Sequence, residues 1–434
     1  MTPTGTSPSS AEPAADDPRF LGLAAPPGPT RRGFWRSPLR GPWLTALLGS
    51  LLLVLLTIVA ATGFLSHEAY EPSLGRNAIV PADRDLELPF GWPAGPTWLY
   101  ALTQGLHVTV GIVAVPLLLA KLWSVIPRLF AWPPFATPAQ SLERLSVLLL
   151  VGGALFLFAT GIVNIQGWYP FGFNFVVAHY YAAWVFTGAL VLHVAIKAPV
   201  VRRARRTHGA LAPLRASLAQ TRPEPLDPDG LVTTNPAPPS LSRRGLLGIV
   251  GAASALLALT TAGQSIGGPL RRLALFAPRG AGEFDFPVNK TARAAGITPD
   301  VVAGWRLELA GAREVSLTRE ELLAMRQTAE RLTIGCVEGW STTQPFEGVA
   351  LRDLAALCGV PDARRMRAVS LQEKAILGQA TFNAAQVRDP RSMLALRVDG
   401  EDLTPDHGFP ARIMVPAAPG VHQTKWIARL EFSA

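Results

Sequence analysis

The stretch 333-TIGCVEGWSTTQPFEGV-349 places Cys336, one of only two cysteines in the chain, between a short apolar run and a polar, tryptophan-containing turn. A core cysteine packs as a small hydrophobe among apolar neighbours. Here the flanks are Gly335, Glu338, Gly339 and Ser341, residues that suit a loop approached closely by another group. Two cysteines cannot build a disulfide scaffold or a four-thiolate metal site, although one Cys336–Cys358 bridge remains open. The second set is histidine. Three of the seven, His107, His179 and His193, fall inside long apolar runs, where a polar side chain is costly and has a partner or a task. His179 and His193 are 14 residues apart; on one helix that is about 40° short of four turns and roughly 21 Å of rise. Both imidazoles then point to one face, near opposite leaflets. Stacked b-type haems need such an arrangement, each iron taking one imidazole from each of two facing helices. An interhelical hydrogen bond is the plainer reading of any one of these histidines alone.

The elements that must position these residues follow from composition. Of the 434 residues 49% are hydrophobic and only 16% charged, with a mean hydropathy of +0.26, where a soluble chain carries nearer a quarter charged. The net charge of +9 comes from clustered arginines with few aromatics between them, which speaks against nucleic acid as a partner and for basic loops beside a membrane. Residues 1–42, rich in Pro, Ser, Ala and Gly, read as a disordered cytoplasmic tail. A four-helix membrane domain is expected over 43–201, with spans at 43–65, 98–120, 145–165 and 175–201. Lys121, Arg128, Arg144, Arg202, Arg203, Arg205 and Arg206 lie in the loops on one side; Glu68, Glu71, Asp83, Asp85 and Glu87 lie in the 66–97 loop on the other. The positive-inside rule therefore puts the N-terminus and the arginine-rich 202–244 linker in the cytoplasm of a bacterial cell. A fifth, weakly apolar helix over 245–268 is led by 240-SLSRRGLL-247, which reads as an internal twin-arginine signal or as an ordinary span with flanking arginines. Either sends residues 280–434 to the extracytoplasmic side.

That last segment regains charge and shows short β-prone runs, 305–311, 412–416 and 426–432, with helices expected at 318–327 and 351–359. It reads as an α+β domain with its own core, Cys358 on the apolar face of the second helix. The pattern 333-TIGCVEGWSTTQPFEGVALRDLAALCGVP-361 followed by 408-GFPARIMVPAAPGVHQTKWIARLEF-432 resembles the sulfite-oxidase-type molybdopterin fold, its Cys-Val-Glu-x-Trp-Ser form being closer to the periplasmic protein-methionine-sulfoxide reductase catalytic subunit. The resemblance implies that Cys336 gives a thiolate to molybdenum beside a pyranopterin, and that Glu338 lies on the substrate side. It further implies that Asn289, Arg412, His422 and Lys425 hold the cofactor, and it answers why Cys336 sits in an open loop.

Residues 43–201 likewise resemble the haem-carrying cytochrome b subunits of bacterial formate dehydrogenases and hydrogenases. Carried across, His107 and His179 would hold an outer haem, whereas the inner half of the first span offers His193 no mate, so one haem is expected rather than two. His67, at the outer end of that span, reads as a surface residue. Together these imply a multi-pass enzyme of the cell membrane that exchanges electrons through haem b with a quinone or another membrane carrier. The substrate expected is a small-molecule or protein S- or N-oxide to be reduced, or alternatively sulfite or a similar sulfur compound to be oxidised. A haem-free anchor bearing a non-catalytic binding domain is the reading from another class.

Overall fold

The computed structural model describes residues 21–69, 91–135, 137–222, 224, 232–233, 235–372 and 378–434. The first twenty residues of the expected tail, and Glu71, Asp83, Asp85 and Glu87 of the acidic loop, lie outside the described residues. Five long apolar helices come first: α1 (Pro42–Glu68), α2 (Leu99–Leu129), α3 (Pro138–Ile165), α4 (Phe175–His208) and α5 (Arg243–Ile266). Each is long and apolar enough to cross a bilayer, and each carries exposed Leu, Val or Ile side chains on its outer surface. The chain thus carries five candidate membrane spans followed by a domain built on sheets.

The described residues form two compact units. One comprises the chain up to Leu52, Pro116–Gly152 and Gly188–Gly251. Within it the segment from residue 21 onward is not a free tail. Trp35 forms a strand-like bridge with Val232 and stacks near Phe130, and Arg40 lies 4.4 Å from the Trp123 ring. Arg243, the first of the two adjacent arginines, is buried, donates to the Arg222 carbonyl at 2.8 Å and pairs with Glu224, which also caps the start of α1 through the Trp43 amide. Arg244 is exposed.

The other unit comprises Leu53–Val115, Gly153–Thr187 and Ala252–Ala434, so it joins stretches of all five helices to the sheet domain. The domain contains two five-stranded sheets. One runs β2 (Val315–Thr318), β1 (Arg306–Ala310), β10 (Ile427–Ser433), β5 (Arg365–Ser370), β6 (Gln379–Asn383), antiparallel except for the β1–β10 pair. The other runs β3 (Thr328–Gly335), β4 (Ser341–Ala350), β7 (Met393–Val398), β8 (Glu401–Asp402), with β9 (Arg412–Met414) also on β7. The expected helices form as Arg319–Ala324, opened by a Thr318–Glu321 capping box, and Leu351–Leu357. The second ends at Cys358, which is fully buried in the main core beside Leu354, Met366 and Phe382. Both cysteines are free thiols, so the bridge between them is not made.

β3 shows what the sheet is for. Its first half alternates between covered and exposed residues, as a strand with one wet face should, whereas Leu332, Thr333, Ile334 and Gly335 are buried without alternation. The strand is covered on both faces as it nears Cys336. Arg271, in the turn after α5, locks this region. Its guanidinium meets Asp285 at 2.6 Å and donates to the Gln264 and Ser341 carbonyls at 3.1 and 2.6 Å. Arg271→Leu strands two buried carbonyls and should cost about 1–3 kcal/mol. At roughly 2–4 °C per kcal/mol, a melting curve of the detergent-purified protein should shift down by several degrees.

Candidate functional site

Cys336 opens a five-residue connection, 336–340, between the antiparallel strands β3 and β4. The loop is closed by its own backbone: the Cys336 amide donates to the Trp340 carbonyl at 2.8 Å, and the Gly339 amide to the Cys336 carbonyl at 2.9 Å. Gly339 has φ +93°, a conformation that side-chain-bearing residues rarely adopt, and a Cβ there would lie 2.7 Å from Val108 of α2. A Cβ on Gly335 would lie 2.8 Å from the Ala101 Cα. Glycine at these two positions is therefore what lets the loop lie against α2. Three hydrogen bonds hold it there: Gln104 Nε2 to the Val337 carbonyl at 2.8 Å, Ser265 Oγ to the Gly339 carbonyl at 2.5 Å, and Ser341 Oγ to the Ser265 carbonyl at 2.5 Å.

Cys336 is only 3% exposed. Burial, and then the neighbouring Glu338 carboxylate, push it well above the ordinary thiol range, so it stays protonated until a cation claims it. Glu338 does not stand open. Arg279 grips both its oxygens, Nη2 at 2.7 Å and Nε at 3.1–3.2 Å, and the Trp340 indole donates to it at 2.8 Å. These bonds raise the Arg279 guanidinium above its usual value. Tyr169, in the loop between α3 and α4, lies near enough for Glu338, Arg279 and Cys336 to act on its phenol. Neither Arg279 nor Tyr169 was marked by the sequence, because one sits in a Pro-Arg-Gly turn and the other in an aromatic run that reads as membrane-interface decoration.

A second group lies on the segment that returns past the loop, where the Gly420 amide donates to the Gly335 carbonyl at 2.7 Å. Arg412 is buried, and its neighbours are backbone carbonyls, those of His407 at 2.9 Å and Gln423 at 3.2 Å, with no carboxylate in its ion pairs among the described residues. Its Nε is buried without an acceptor, and burial lowers its pKa to about 9. Lys425 Nζ, lowered by burial and by Arg412 to about 7, donates to the Lys290 and Asp406 carbonyls at 2.6 and 2.9 Å and reaches Asn289 Oδ1 at 3.4 Å. His422 is buried, its pKa lowered to about 3 by burial. The structure thus places Arg412, His422 and Lys425 on one segment that bonds the Cys336 loop at Gly335, with Asn289 brought to that segment from elsewhere in the chain by Lys425 and itself exposed. Buried cations whose hydrogen bonds go to neutral carbonyls and whose other neighbours are aromatic rings fit an anionic ligand, and a thiol that needs a cation fits a metal; the two together match the donor set of a phosphate-bearing, sulfur-ligated molybdenum cofactor.

The membrane histidines form the third group. The His107 and His179 rings have centroids 6.1 Å apart and planes crossing at 80°. His107 Nδ1 bonds the Val59 carbonyl at 2.8 Å, and His179 Nδ1 bonds the Thr160 hydroxyl at 3.0 Å, so in both rings Nε2 is the nitrogen left for another partner. A metal midway between the centroids would lie about 3 Å from each, as expected when an imidazole nitrogen sits roughly 2 Å from a first-row metal. The rings share an apolar cavity with Gly63, Gly111, Gly161 and Val337. His67 also lines that cavity, its ring stacked on Tyr180 at 3.9 Å, so the reading of it as a surface residue is corrected. His193 does not join this pair. It lies in the other unit, with Lys121, Lys197 and Glu143 as its charged neighbours.

The profile of the oxidoreductase molybdopterin binding domain matches residues 295–434. Residues 295–434 are an oxidoreductase molybdopterin-binding domain. Of individual proteins, the nitrate reductase [NAD(P)H] of Hordeum vulgare is 31% identical over 157 residues, 29% of this chain and 18% of that one. A relative from Azospira oryzae named "Putative protein-methionine-sulfoxide reductase subunit YedZ1" is 27% identical over 183 residues, 41% of this chain and 68% of that one. The protein-methionine-sulfoxide reductase catalytic subunit MsrP of Xanthomonas campestris is 25% identical over 164 residues, 34% of this chain and 51% of that one. The chain thus spans under a fifth of the nitrate reductase and half of the catalytic subunit.

Lys425 gives this site a pH signature. Its pKa falls from 10.5 in the unfolded chain to about 7 in the fold, so between those values the unfolded state binds the extra proton. The Lys425 contribution to the stability of the cofactor-free protein should therefore rise from pH 7 toward pH 10, with the lowered Arg412 adding its own rise only above about pH 9. Melting curves between pH 7 and pH 9 should show the rise in wild type and a clearly smaller one in Lys425→Met.

Proposed function

We propose that this chain is a membrane-anchored molybdopterin-dependent oxidoreductase whose sheet domain faces the extracytoplasmic side. One b-type haem is held between His107 and His179 and exchanges electrons with a quinone or another membrane carrier. The observation that carries the reading is the presence, in one compact unit, of a facing imidazole pair with both Nδ1 atoms already anchored and of the buried Cys336 thiol. Anchoring Nδ1 fixes tautomer and ring orientation, which is how metal-ligating histidines are prepared. The orientation rests on the arginine-rich 202–206 stretch that ends α4. The arginine pair at 243–244 supports folded export of the sheet domain, which its buried cofactor residues would require.

The molybdenum cofactor would supply two-electron oxygen-atom chemistry. This chain's residues do the rest. Cys336 would provide the protein thiolate. Arg412 and Lys425, with His422 and Asn289 beside them, would hold the cofactor's phosphate. Glu338 is fixed by Arg279, and the pair would form a charged wall of the substrate pocket. We read the reaction as reduction of an S- or N-oxide, R₂S=O + 2e⁻ + 2H⁺ → R₂S + H₂O, because two of the relatives are named for methionine sulfoxide. The electrons would arrive singly through the haem.

Metal analysis and reduced-minus-oxidised spectra of the purified protein test this. Wild type should hold about one molybdenum and one low-spin haem per chain. Cys336→Ser should lose activity on dimethyl sulfoxide or methionine sulfoxide while keeping the haem bands; His107→Ala and His179→Ala should each abolish those bands and keep molybdenum. Wild type made in a host that synthesises the cofactor, yet free of molybdenum, would overturn the reading.

A further inference from the structure

Gln104 stands one helical turn before His107 on α2, and both line the same cavity. Its Nε2 donates to the Val337 carbonyl at 2.8 Å. Val337 directly follows Cys336 and itself lines the histidine cavity. No other side-chain hydrogen bond described links a cavity-lining residue of α2 to the Cys336 loop; Ser265 reaches that loop from α5, a helix that contributes nothing to the cavity. The loop is seated on α2 by contact as well, at Gly335 against Ala101 and at Gly339 against Val108. A half-buried amide side chain needs hydrogen-bond partners, and here the donor end is spent on the carbonyl of the residue that follows Cys336 and lines the histidine cavity.

From this we infer that Gln104 is the positioning residue that fixes the separation and coupling between the Cys336 site and the His107–His179 site. The inference rests on the functional reading above and adds to it: one electron passes between iron and molybdenum within a single chain, with no bond made or broken, across a gap set by the Gln104–Val337 contact. The role touches neither substrate nor metal. It predicts that Gln104 governs the rate between the centres while leaving each centre intact.

The experiment is flash photoreduction of the holoprotein's haem by a photoexcited flavin, followed by its reoxidation through an intraprotein phase independent of protein concentration. Pulsed electron paramagnetic resonance of molybdenum(V) supplies a distance readout through its magnetic interaction with ferric haem. Gln104→Leu should keep molybdenum content and haem band positions, weaken that interaction, and slow the phase on the order of tenfold, below the ~100-fold that a misplacement of about 1 Å can cost a bond-making step. Ser265→Ala removes a different anchor of the same loop, one that comes from a helix lining no part of the histidine cavity, and should leave the phase essentially as in wild type. An unchanged phase in Gln104→Leu with both centres intact overturns this inference alone, and so does equal slowing in Ser265→Ala, which would mean loop seating in general rather than Gln104. Wild type without haem bands or without molybdenum overturns the functional reading and this inference with it. Should Gln104→Leu fail to accumulate, Gln104→Asn, one methylene shorter, carries the same expectations.

Discussion

The close approach of the Cys336 loop to helix α2 is the constraint on which the rest of this unit depends. Two backbones meet where a single added carbon at Gly335 or Gly339 would collide, and the polar groups exposed by that approach are paired off through Gln104 and Ser265. A buried carbonyl left alone costs more than a made hydrogen bond gains, so these contacts specify one seating of the loop rather than merely favouring it. The unbroken burial of β3 near its end, the position of Trp340 over Glu338 and the grip of Arg271 on the Ser341 carbonyl all follow from that seating.

Around the loop the domain carries charge that it does not neutralise internally. Arg412 and Lys425 are served by carbonyl dipoles, and the Cys336 thiol is held against ionisation by burial and by a carboxylate. A folded chain tolerates a buried charge without a counter-charge at the expense of stability, and the expense concentrates where a ligand of opposite charge is meant to sit. Glu338 is the contrasting case. Its charge is already matched by Arg279, so it is a fixed feature of the site's wall rather than an open ligand position.

Much of this was legible in the sequence, for identifiable reasons. A bilayer demands long uncharged runs, so five helices could be placed, although their polar ends run on by as much as nine residues, α2 reaching Leu129 where an end at 120 is expected; the apolar spacing and the glycine beyond Cys358 marked the second short helix. The pairing of His107 with His179 came from the resemblance to cytochrome b subunits, helical periodicity having related only His179 and His193. What local sequence does not encode is which distant backbone a side chain will meet. Thr160 beside His179, Val59 beside His107, Tyr180 under His67 and Arg279 on Glu338 are contacts between segments far apart in the chain, between residue types that are common everywhere. The segment 21–42 escaped for the same reason: its Pro- and Gly-rich composition reads as unstructured, while Trp35 and Arg40 find ring partners elsewhere in their unit.

The two histidines of α4 show where such reasoning stops. Their 14-residue spacing belongs to that helix alone, whereas a shared metal belongs to two helices. His179 meets an imidazole on α2, the two ring centroids 6.1 Å apart. In its own unit His193 meets cations: Lys121, whose Nζ donates to the Thr45 carbonyl at 2.8 Å and lies 3.0 Å from where a Cβ on Gly49 would stand, and Lys197, which pairs with Glu143. A ligating imidazole is strengthened by acceptors on its outer nitrogen and weakened by neighbouring positive charge. The same spacing therefore yields one prepared pair and one lone ring, and the difference is made by what α1 and α2 present to each end of α4.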